Sequence, residues 1–225
     1  MKSAPVYHSN IFWHFCSRNK SEEQAYQTLC KILHERTLCI PDQDQIVGET
    51  LIDDQGKTTA TWGLQRVCFA DIPFAFLKHH IGHYGNVGLG FDREYLITHG
   101  AQPLIYVAQT PGKKEFHQWT ASSIIDSLYK EWGKLLKKTD HQRTDKEQER
   151  LKDLSWRFEI LRNYIKQFAA DDEHSAYYER EWRIINSFAF DLSDVELVIV
   201  PKKFAKAFAK QFPDIPYSIT ELILS

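Results

Sequence analysis

Two carboxylates and a guanidinium recur at every second position in the segment Tyr178-Glu179-Arg180-Glu181-Trp182-Arg183. Successive side chains of a β-strand point to opposite faces, so Glu179, Glu181 and Arg183 are predicted to share one face. Such a cluster could bind a polyol or stabilise a developing positive charge, with Arg183 keeping a carboxylate ionised. The alternative is a solvated edge strand with cross-strand ion pairs, and the spacing alone favours this alternative.

His14 lies between two aromatic residues in Trp13-His14-Phe15, on a predicted central strand. Most histidines in such surroundings are core residues whose ring is hydrogen-bonded to the backbone. The functional alternative is a neutral imidazole that donates a hydrogen bond to a ribose or an amide of a ligand. The sequence leaves both interpretations open.

A histidine-rich segment follows a predicted helix start at residue 74. His79 and His83 are four residues apart, a spacing that can hold zinc on a helix, but Gly82 weakens the helix and no glutamate completes an H-E-x-x-H motif. We therefore expect no metal site. Tyr84, beside Gly85, could stack on a flat ligand ring or simply cap the core.

The absence of two sequence motifs disfavours common nucleotide-binding classes. The chain has no P-loop, and Gly85, Gly88 and Gly90 do not form the dinucleotide-binding G-x-G-x-x-G pattern. One basic helical face could touch nucleic acid, although such faces are usually only solvated. Its lysines are Lys202, Lys203, Lys206 and Lys210.

The hydrophobic pattern predicts an α+β fold with a mixed or antiparallel sheet. A strand at residues 10–17 leads into a capping box, Ser21 with Gln24, that starts a helix. Residues 113–170 are predicted to be a helical insertion of two or more amphipathic helices, with a charged turn near residues 137–150. The other predicted strands are 66–69, 87–91, 103–108, 181–186, 195–200 and 218–224, and the other predicted helices are 74–80 and 201–211.

The composition limits the classes of protein to which the chain can belong. The 225 residues are expected to form a single domain over residues 1–225, and a net charge of -2 gives no overall basic field. The four cysteines lack C-x-x-C spacing, no run is long enough to span a membrane, and residues 1–9 lack the apolar part of a signal peptide. We therefore expect a cytoplasmic protein with reduced thiols and no membrane contact.

Several of these segments, taken in order, resemble the AbiGi family of abortive-infection proteins. The segments are residues 11–17, 67–73, 83–91, 103–107 and 178–183. The resemblance extends from about residue 10 to about residue 190. It implies anti-phage defence in a bacterium, because members of the family are described as antitoxins or phage-resistance proteins.

The order of a histidine, a tyrosine and a glutamate along the chain is similar to that in ADP-ribosyltransferases. This resemblance implies a sheet core like theirs and NAD as substrate. Carried over to this chain, His14 would contact the ribose next to nicotinamide, and Tyr84 would stack on the nicotinamide ring. Glu181 would be the catalytic carboxylate, and Glu179 would orient the acceptor. The cofactor-binding residues implied by the resemblance are His14, Tyr84, Phe69 and Arg183.

The resemblance leads to one main hypothesis and one rival. The main hypothesis is an NAD-dependent effector or toxin that transfers ADP-ribose to a protein or nucleic acid target, or hydrolyses NAD, on a phage trigger. The rival is a non-catalytic antitoxin or interaction module, whose partner is a cognate toxin. A nucleic-acid enzyme is a third alternative, which depends only on the basic helical face.

Overall fold

The computed structural model describes residues 9–17, 19–38, 50–52, 58–61, 66–108, 121–168 and 180–224. The chain forms two compact units. Unit 1 comprises Met1–Gln45, Gln65–Pro103 and Glu179–Ser225, and unit 2 comprises Ile46–Leu64 and Leu104–Tyr178. The expectation of one domain over residues 1–225 remains a prediction, and the predicted helical insertion at 113–170 belongs to unit 2.

Both units contain β-strands. In chain order they are β1 (Ile11–Phe15), β2 (Thr37–Leu38), β3 (Thr50–Ile52), β4 (Thr58–Thr61), β5 (Arg66–Ala70), β6 (Gly88–Asp92), β7 (Gln102–Pro103), β8 (Ile105–Ala108), β9 (Ile165–Phe168), β10 (Glu181–Ile185), β11 (Phe188–Ala189), β12 (Val195–Val200) and β13 (Tyr217–Ile219).

The helices lie between and after these strands. In chain order they are α1 (Glu22–Glu35), α2 (Leu77–Tyr84), α3 (Arg93–Thr98), α4 (Ala121–Leu136), α5 (Asp145–Tyr164), α6 (Lys202–Gln211) and α7 (Thr220–Leu224). Short 3-10 turns occupy Phe74–Phe76, Asp140–Gln142 and Leu192–Asp194.

A seven-stranded sheet forms the centre of unit 1. Its strand order is β13-β12-β6-β1-β5-β10-β7, and its neighbouring strands are antiparallel except for the parallel pair β12 and β13. The strands β2 and β11 form a separate short antiparallel pair. The structure therefore confirms a mixed fold of helices and strands with a mostly antiparallel sheet.

Helices cover both faces of this sheet. One face, which we name the histidine face because it carries His14, packs Phe12, Phe69 and Phe91 against α1, α3 and α6. The other, named the glutamate face because it carries Glu181, packs Trp13 and Ala70 against α2 and α7. Burial of apolar side chains on both faces is the main favourable contribution to the stability of this unit.

Local sequence signals explain where several helices begin. The Ser21 side chain accepts from the backbone N–H of Gln24, and the Gln24 side chain accepts from the N–H of Ser21, so the capping box predicted for α1 is confirmed. Thr144 and Glu147 form the same arrangement at the start of α5. Both boxes satisfy backbone donors that the first turn of a helix leaves unpaired.

Unit 2 contains the helical hairpin of α4 and α5, the antiparallel pair β3 and β4 and the parallel pair β8 and β9. Trp132, Leu154 and Phe158 form the apolar core of the hairpin. The Trp132 indole N–H donates to the Ser155 hydroxyl at 2.9 Å, which satisfies a buried donor. The prediction of at least two helices in residues 113–170 is confirmed, although residues 165–168 are the strand β9.

One sequence prediction is wrong in its type of element, and one helix was missed. The predicted strand 218–224 is the short strand β13 followed by the helix α7, and the helix α3 was not predicted. Both are short helices whose form depends on packing against the sheet more than on intrinsic propensity. Within the described residues, no helix is both long enough and apolar enough to cross a membrane.

Candidate functional site

The strand register places His14 and Glu181 on opposite faces of the sheet. Trp13 pairs with Ala70, and Ala70 pairs with Glu181, so these three side chains point to the glutamate face. His14 follows Trp13 on β1 and therefore points to the histidine face. The sequence predicted that both side chains line one cleft. The structure corrects this prediction, because side chains alternate between the two faces along β1 and β10.

Glu181 and Arg183 form a buried ion pair on the glutamate face. The Arg183 Nε donates to a Glu181 carboxylate oxygen at 2.7 Å, and the two residues are 7% and 5% exposed. The prediction that the two side chains share a face is confirmed. The interpretation as a solvated edge pair is wrong, because β7 extends the sheet beyond β10 and both side chains are removed from water.

Two further polar groups from β5 lie beside this pair. Cys68 pairs with Arg183 across the strands, and Arg66 pairs with Ile185. Burial, reinforced by the Glu181 charge, raises the pKa of the Cys68 thiol to about 12, so the thiol stays protonated and is a poor nucleophile at neutral pH. Burial, together with the nearby Arg183 charge, lowers the pKa of Arg66.

The His14 imidazole bonds to the backbone. Its Nδ1 lies 3.0 Å from the Cys68 carbonyl oxygen, and because a carbonyl can only accept, Nδ1 must carry the proton. Burial is the largest cause of a lowered pKa of His14, so the ring is neutral at pH 7. The Phe69 ring packs edge-on against it at 6.0 Å, which places the predicted cofactor residue Phe69 on the histidine face as well.

Tyr84 ends α2 and lies on the glutamate side of the sheet. Its ring stacks on His80 at 4.4 Å and lies 6.4 Å from the ring of Phe15, which belongs to the glutamate face. Gly85 follows with a φ of 87°, and a Cβ there would lie 2.1 Å from the Cβ of Ser17. Only a glycine permits this close approach to Ser17.

The structure thus brings together some of the predicted site residues and separates others. Tyr84, Glu181 and Arg183 lie on the same side of the sheet, and His14 and Phe69 lie on the opposite side. Glu179 lies outside the described residues. Its predicted role in orienting an acceptor stays a prediction.

The basic face of α6 is partly neutralised. Lys203 forms ion pairs with Glu22 at 2.7 Å and with Glu23 at 2.6 Å, both on α1. The Glu221 carboxylate accepts from the Lys202 backbone N–H at the start of the helix. These contacts weaken the interpretation of the lysines as a nucleic-acid surface, because binding to phosphate would compete with internal carboxylates.

A second buried carboxylate was not identified from the sequence. Asp71 is 2% exposed and accepts hydrogen bonds from the Ser9 backbone N–H at 2.8 Å, from Arg93 at 3.0 Å and from Arg180 at 2.9 Å. The Arg180 carbonyl in turn accepts from the Asp71 N–H, and Arg180 has a left-handed φ of 44°. No local sequence signal connects Asp71 with Arg93 and Arg180, which are 22 and 109 residues away.

Comparison with known proteins gives one match. A family model described as "Putative abortive phage resistance protein AbiGi, antitoxin" matches residues 23–212. No curated protein and no solved structure matches the chain.

Proposed function

Because the chain belongs to the AbiGi family of abortive phage resistance proteins, we propose that it is an antitoxin that binds a cognate toxin and holds it inactive. The observation that carries this proposal is the family match over residues 23–212, whose description names an antitoxin. In this proposal the antitoxin acts by stoichiometric binding, which needs no reacting groups.

The geometry of unit 1 supports a role without catalysis. A catalytic carboxylate must reach its substrate, and the Glu181 carboxylate is buried and bonded to Arg183. A ligand-binding imidazole needs an accessible N–H, and the N–H of His14 donates to the Cys68 carbonyl. Both side chains make the contacts expected of residues that stabilise the sheet.

The proposal is tested by co-expression with each candidate toxin from the genes that neighbour the gene of this chain. The informative variant replaces Glu181 and Arg183 together by methionine, because exchanging a whole buried ion pair for apolar residues is often close to neutral for stability. We expect the double variant to restore growth as well as the wild type. The purified pair should contain the two proteins in a fixed ratio, measured by light scattering after gel filtration.

The matched control is the same double replacement at an exposed pair, Arg157 and Asp153, which are linked at 2.8 Å on α5. Loss of protection by the Glu181 and Arg183 variant, with unchanged urea unfolding, would contradict a non-catalytic role. Protection by wild-type protein present far below the toxin concentration would contradict it too.

The second candidate is an NAD-dependent ADP-ribosyltransferase-like effector, or an NAD glycohydrolase. The observation that favours it is that Tyr84, Glu181 and Arg183 share one side of the sheet. In this hypothesis the Arg183 guanidinium leaves Glu181 to bind the NAD phosphates, and the carboxylate then stabilises the positive charge of the ribose ring. The target, a protein or a nucleic acid, and the phage trigger are further parts of this hypothesis.

Incubation with NAD labelled in the adenine part tests this candidate. Catalysis predicts release of nicotinamide or transfer of the label, with or without phage components. It also predicts loss of either product in Glu181→Gln, assayed at a temperature at which circular dichroism shows this destabilised variant to be folded. Saturable stabilisation by NAD in a thermal-shift titration is expected as well, because a ligand that binds only the native state raises its stability. Absence of both products and of the thermal shift would exclude the candidate.

A further inference from the structure

The seven-stranded sheet ends at β13, and the outer edge of this strand is open. The Val198 N–H donates to the Pro216 carbonyl at 2.9 Å, and Val198 pairs with Tyr217. Because backbone groups point alternately to the two sides of a strand, the N–H groups of Tyr217 and Ile219 point away from β12. Among the described residues, no group accepts a hydrogen bond from either of them. β13 therefore offers backbone donors to a further strand.

An open strand edge binds an extended peptide segment, because such a segment supplies the matching N–H and C=O groups. This edge is short. Pro213 and Pro216 precede it, are exposed and have no N–H to donate, and the helix α7 begins directly after Ile219. The edge is therefore suited to one short extended segment and not to another sheet.

The helix α6 lies over this edge, and one of its flanks contacts α1. The Phe208 ring lies 5.5 Å from the Tyr217 ring, which places α6 over β13. The Phe204 ring stacks on Tyr26 of α1 at 4.3 Å. The flank of α6 that carries Phe204 therefore faces α1.

The other flank of α6 faces the open edge. At the start of α1, Glu22 accepts from the side chain of Asn86, which lies two residues before β6. Because β6 is on the inner side of β12 in the sheet, α1 lies inward of α6. Three exposed lysines follow one another at a spacing of four residues on the outward flank, and the first two lie roughly 160° around the helix from Phe204. We name them the lysine stripe: Lys202, Lys206 and Lys210.

The lysine stripe carries positive charge that no ion pair neutralises. Lys203, on the same helix, is paired with two glutamates of α1. In the described ranges, by contrast, no carboxylate lies within ion-pair distance of an ammonium group of the stripe. Two acids are near in sequence: Asp214 is exposed, and the Glu221 carboxylate accepts from the Lys202 backbone N–H. A segment beside β13 therefore meets net positive charge, which acidic side chains complement.

Two other occupants fit this edge less well. A nucleic acid matches the lysine charge but lacks the regularly spaced N–H and C=O groups that pair with a strand. A second copy of the chain could pair through its own β13, but this would bring two lysine stripes together, and like charges oppose such pairing. An acidic extended segment satisfies both the edge and the charge.

We propose that the open edge of β13 binds an extended acidic segment of the toxin as an added strand. Carbonyl groups of the segment accept from the N–H groups of Tyr217 and Ile219, and its carboxylates face the lysine stripe. This inference rests on the proposed antitoxin function and names the part of the toxin that is bound. Salt should weaken the complex, because it screens exposed charges.

The first test titrates the 15N-labelled full chain with a short peptide of alternating valine and glutamate. At saturation we expect this peptide to slow amide hydrogen exchange at Tyr217 and Ile219 by at least about 10-fold. Exchange at Ser218 should change little, because its N–H already points to β12. The same peptide with lysine in place of glutamate should bind at least about 10-fold more weakly.

Lys206→Glu combined with Lys210→Glu reverses two charges of the stripe, and Lys130→Glu combined with Lys134→Glu is the matched control. The control lysines are also exposed and four residues apart, on α4 of unit 2. We expect the stripe variant to bind the acidic peptide at least about 5-fold more weakly and the control to bind it like the wild type. If the stripe variant does not fold, the comparison of the two peptides on the wild type decides.

An acidic peptide that leaves exchange at Tyr217 and Ile219 unchanged would overturn the proposal, and so would equal binding of the lysine peptide. Binding of a short single-stranded RNA instead of the acidic peptide would assign the stripe to nucleic acid. Protection that rises with protein concentration alone would assign the edge to a second copy. A toxin bound with equal affinity by the wild type and the stripe variant would overturn the proposal and leave the antitoxin function intact. If no candidate toxin binds the wild type, the antitoxin function fails, and the peptide titration still decides on the edge.

Discussion

Asp71 and Glu181 are both buried carboxylates bound to arginine, but the two clusters differ in how far apart their members lie in sequence. Asp71 at the end of β5 holds Ser9, Arg93 and Arg180, which lie beside β1, α3 and β10. Glu181 is held at 2.7 Å by Arg183, two residues along the same strand. The first cluster joins four segments of unit 1, and the second is largely confined to one edge of its sheet.

The two clusters differ in how much stability is lost when the carboxylate is removed. The arginines of Asp71 are partly exposed, with 25% and 42% of their side chains accessible, so either can turn to water when the acid is lost. Arg183 is almost fully enclosed. Removing one partner of an enclosed pair leaves an uncompensated charge, which is more damaging than losing the pair as a whole.

The largest effect is therefore expected at Glu181. Glu181→Gln should lower the free energy of unfolding by about 3–5 kcal/mol, because Arg183 stays buried without its carboxylate. The double replacement of Glu181 and Arg183 by methionine should recover most of this loss. Urea unfolding followed by circular dichroism measures both, and a double variant no more stable than the single one would show that the pair is needed for the fold itself.

Asp71→Asn should have a smaller effect, about 2–3 kcal/mol, that no second replacement at one arginine recovers. The amide keeps an acceptor for the Ser9 N–H but loses the attraction for two guanidinium groups. Hydrogen exchange should report the loss at the ends of β1, β5 and β10 together. A loss confined to β5 would contradict the view that this cluster joins separate segments.

Arg93→Met should cost less again, about 1–2 kcal/mol, because Asp71 retains Arg180 and the Ser9 N–H. Part of this effect comes from packing, since the Arg93 guanidinium lies 4.9 Å from the Phe12 ring centroid and 5.1 Å from that of Trp182. Thermal unfolding measures the change. Arg157→Met, at an exposed pair on α5, is the control and should change stability by less than about 0.5 kcal/mol.

The smallest expected effect on stability is that of replacing His14, and it appears only at acidic pH. Burial lowers the pKa of His14 in the folded protein, so below pH 6.5 the unfolded chain binds a proton that the native state resists. Stability due to this group is complete above pH 6.5 and declines as the pH falls. His14→Asn, which can keep a donor near the Cys68 carbonyl, should flatten the slope of unfolding free energy between pH 6.5 and 5. An unchanged slope would assign the acid sensitivity to other groups.

Much of the fold could be predicted because its signals are local. Each signal depends on residues that are close in sequence. The capping box at Ser21 predicts α1, the alternation in 181–186 predicts β10, and the helical periodicity of 113–170 predicts α4 and α5. All four elements are present. The short helices α3 and α7 were missed because five or six residues carry too little periodicity to identify a helix.

The candidate site was only partly predictable. The shared face of Glu181 and Arg183 follows from the two-residue period of a strand and was found. The separation of His14 from Glu181 depends on which residue of β1 aligns with Ala70, and a shift of one position would have reversed it. No local pattern specifies that alignment.

Residue types and their periodicity thus determined that this chain would combine a largely antiparallel sheet with a pair of long amphipathic helices. The segments that resemble the family, taken in their order along the chain, were enough to identify it. The tertiary structure alone decided which side chains meet. Asp71 reaches arginines 22 and 109 residues away, and Trp13 lies in one row with Ala70 and Glu181. Strand order and register set these neighbours, and both are settled by the burial of apolar surface on two faces at once, which depends on the whole sheet and not on any single segment.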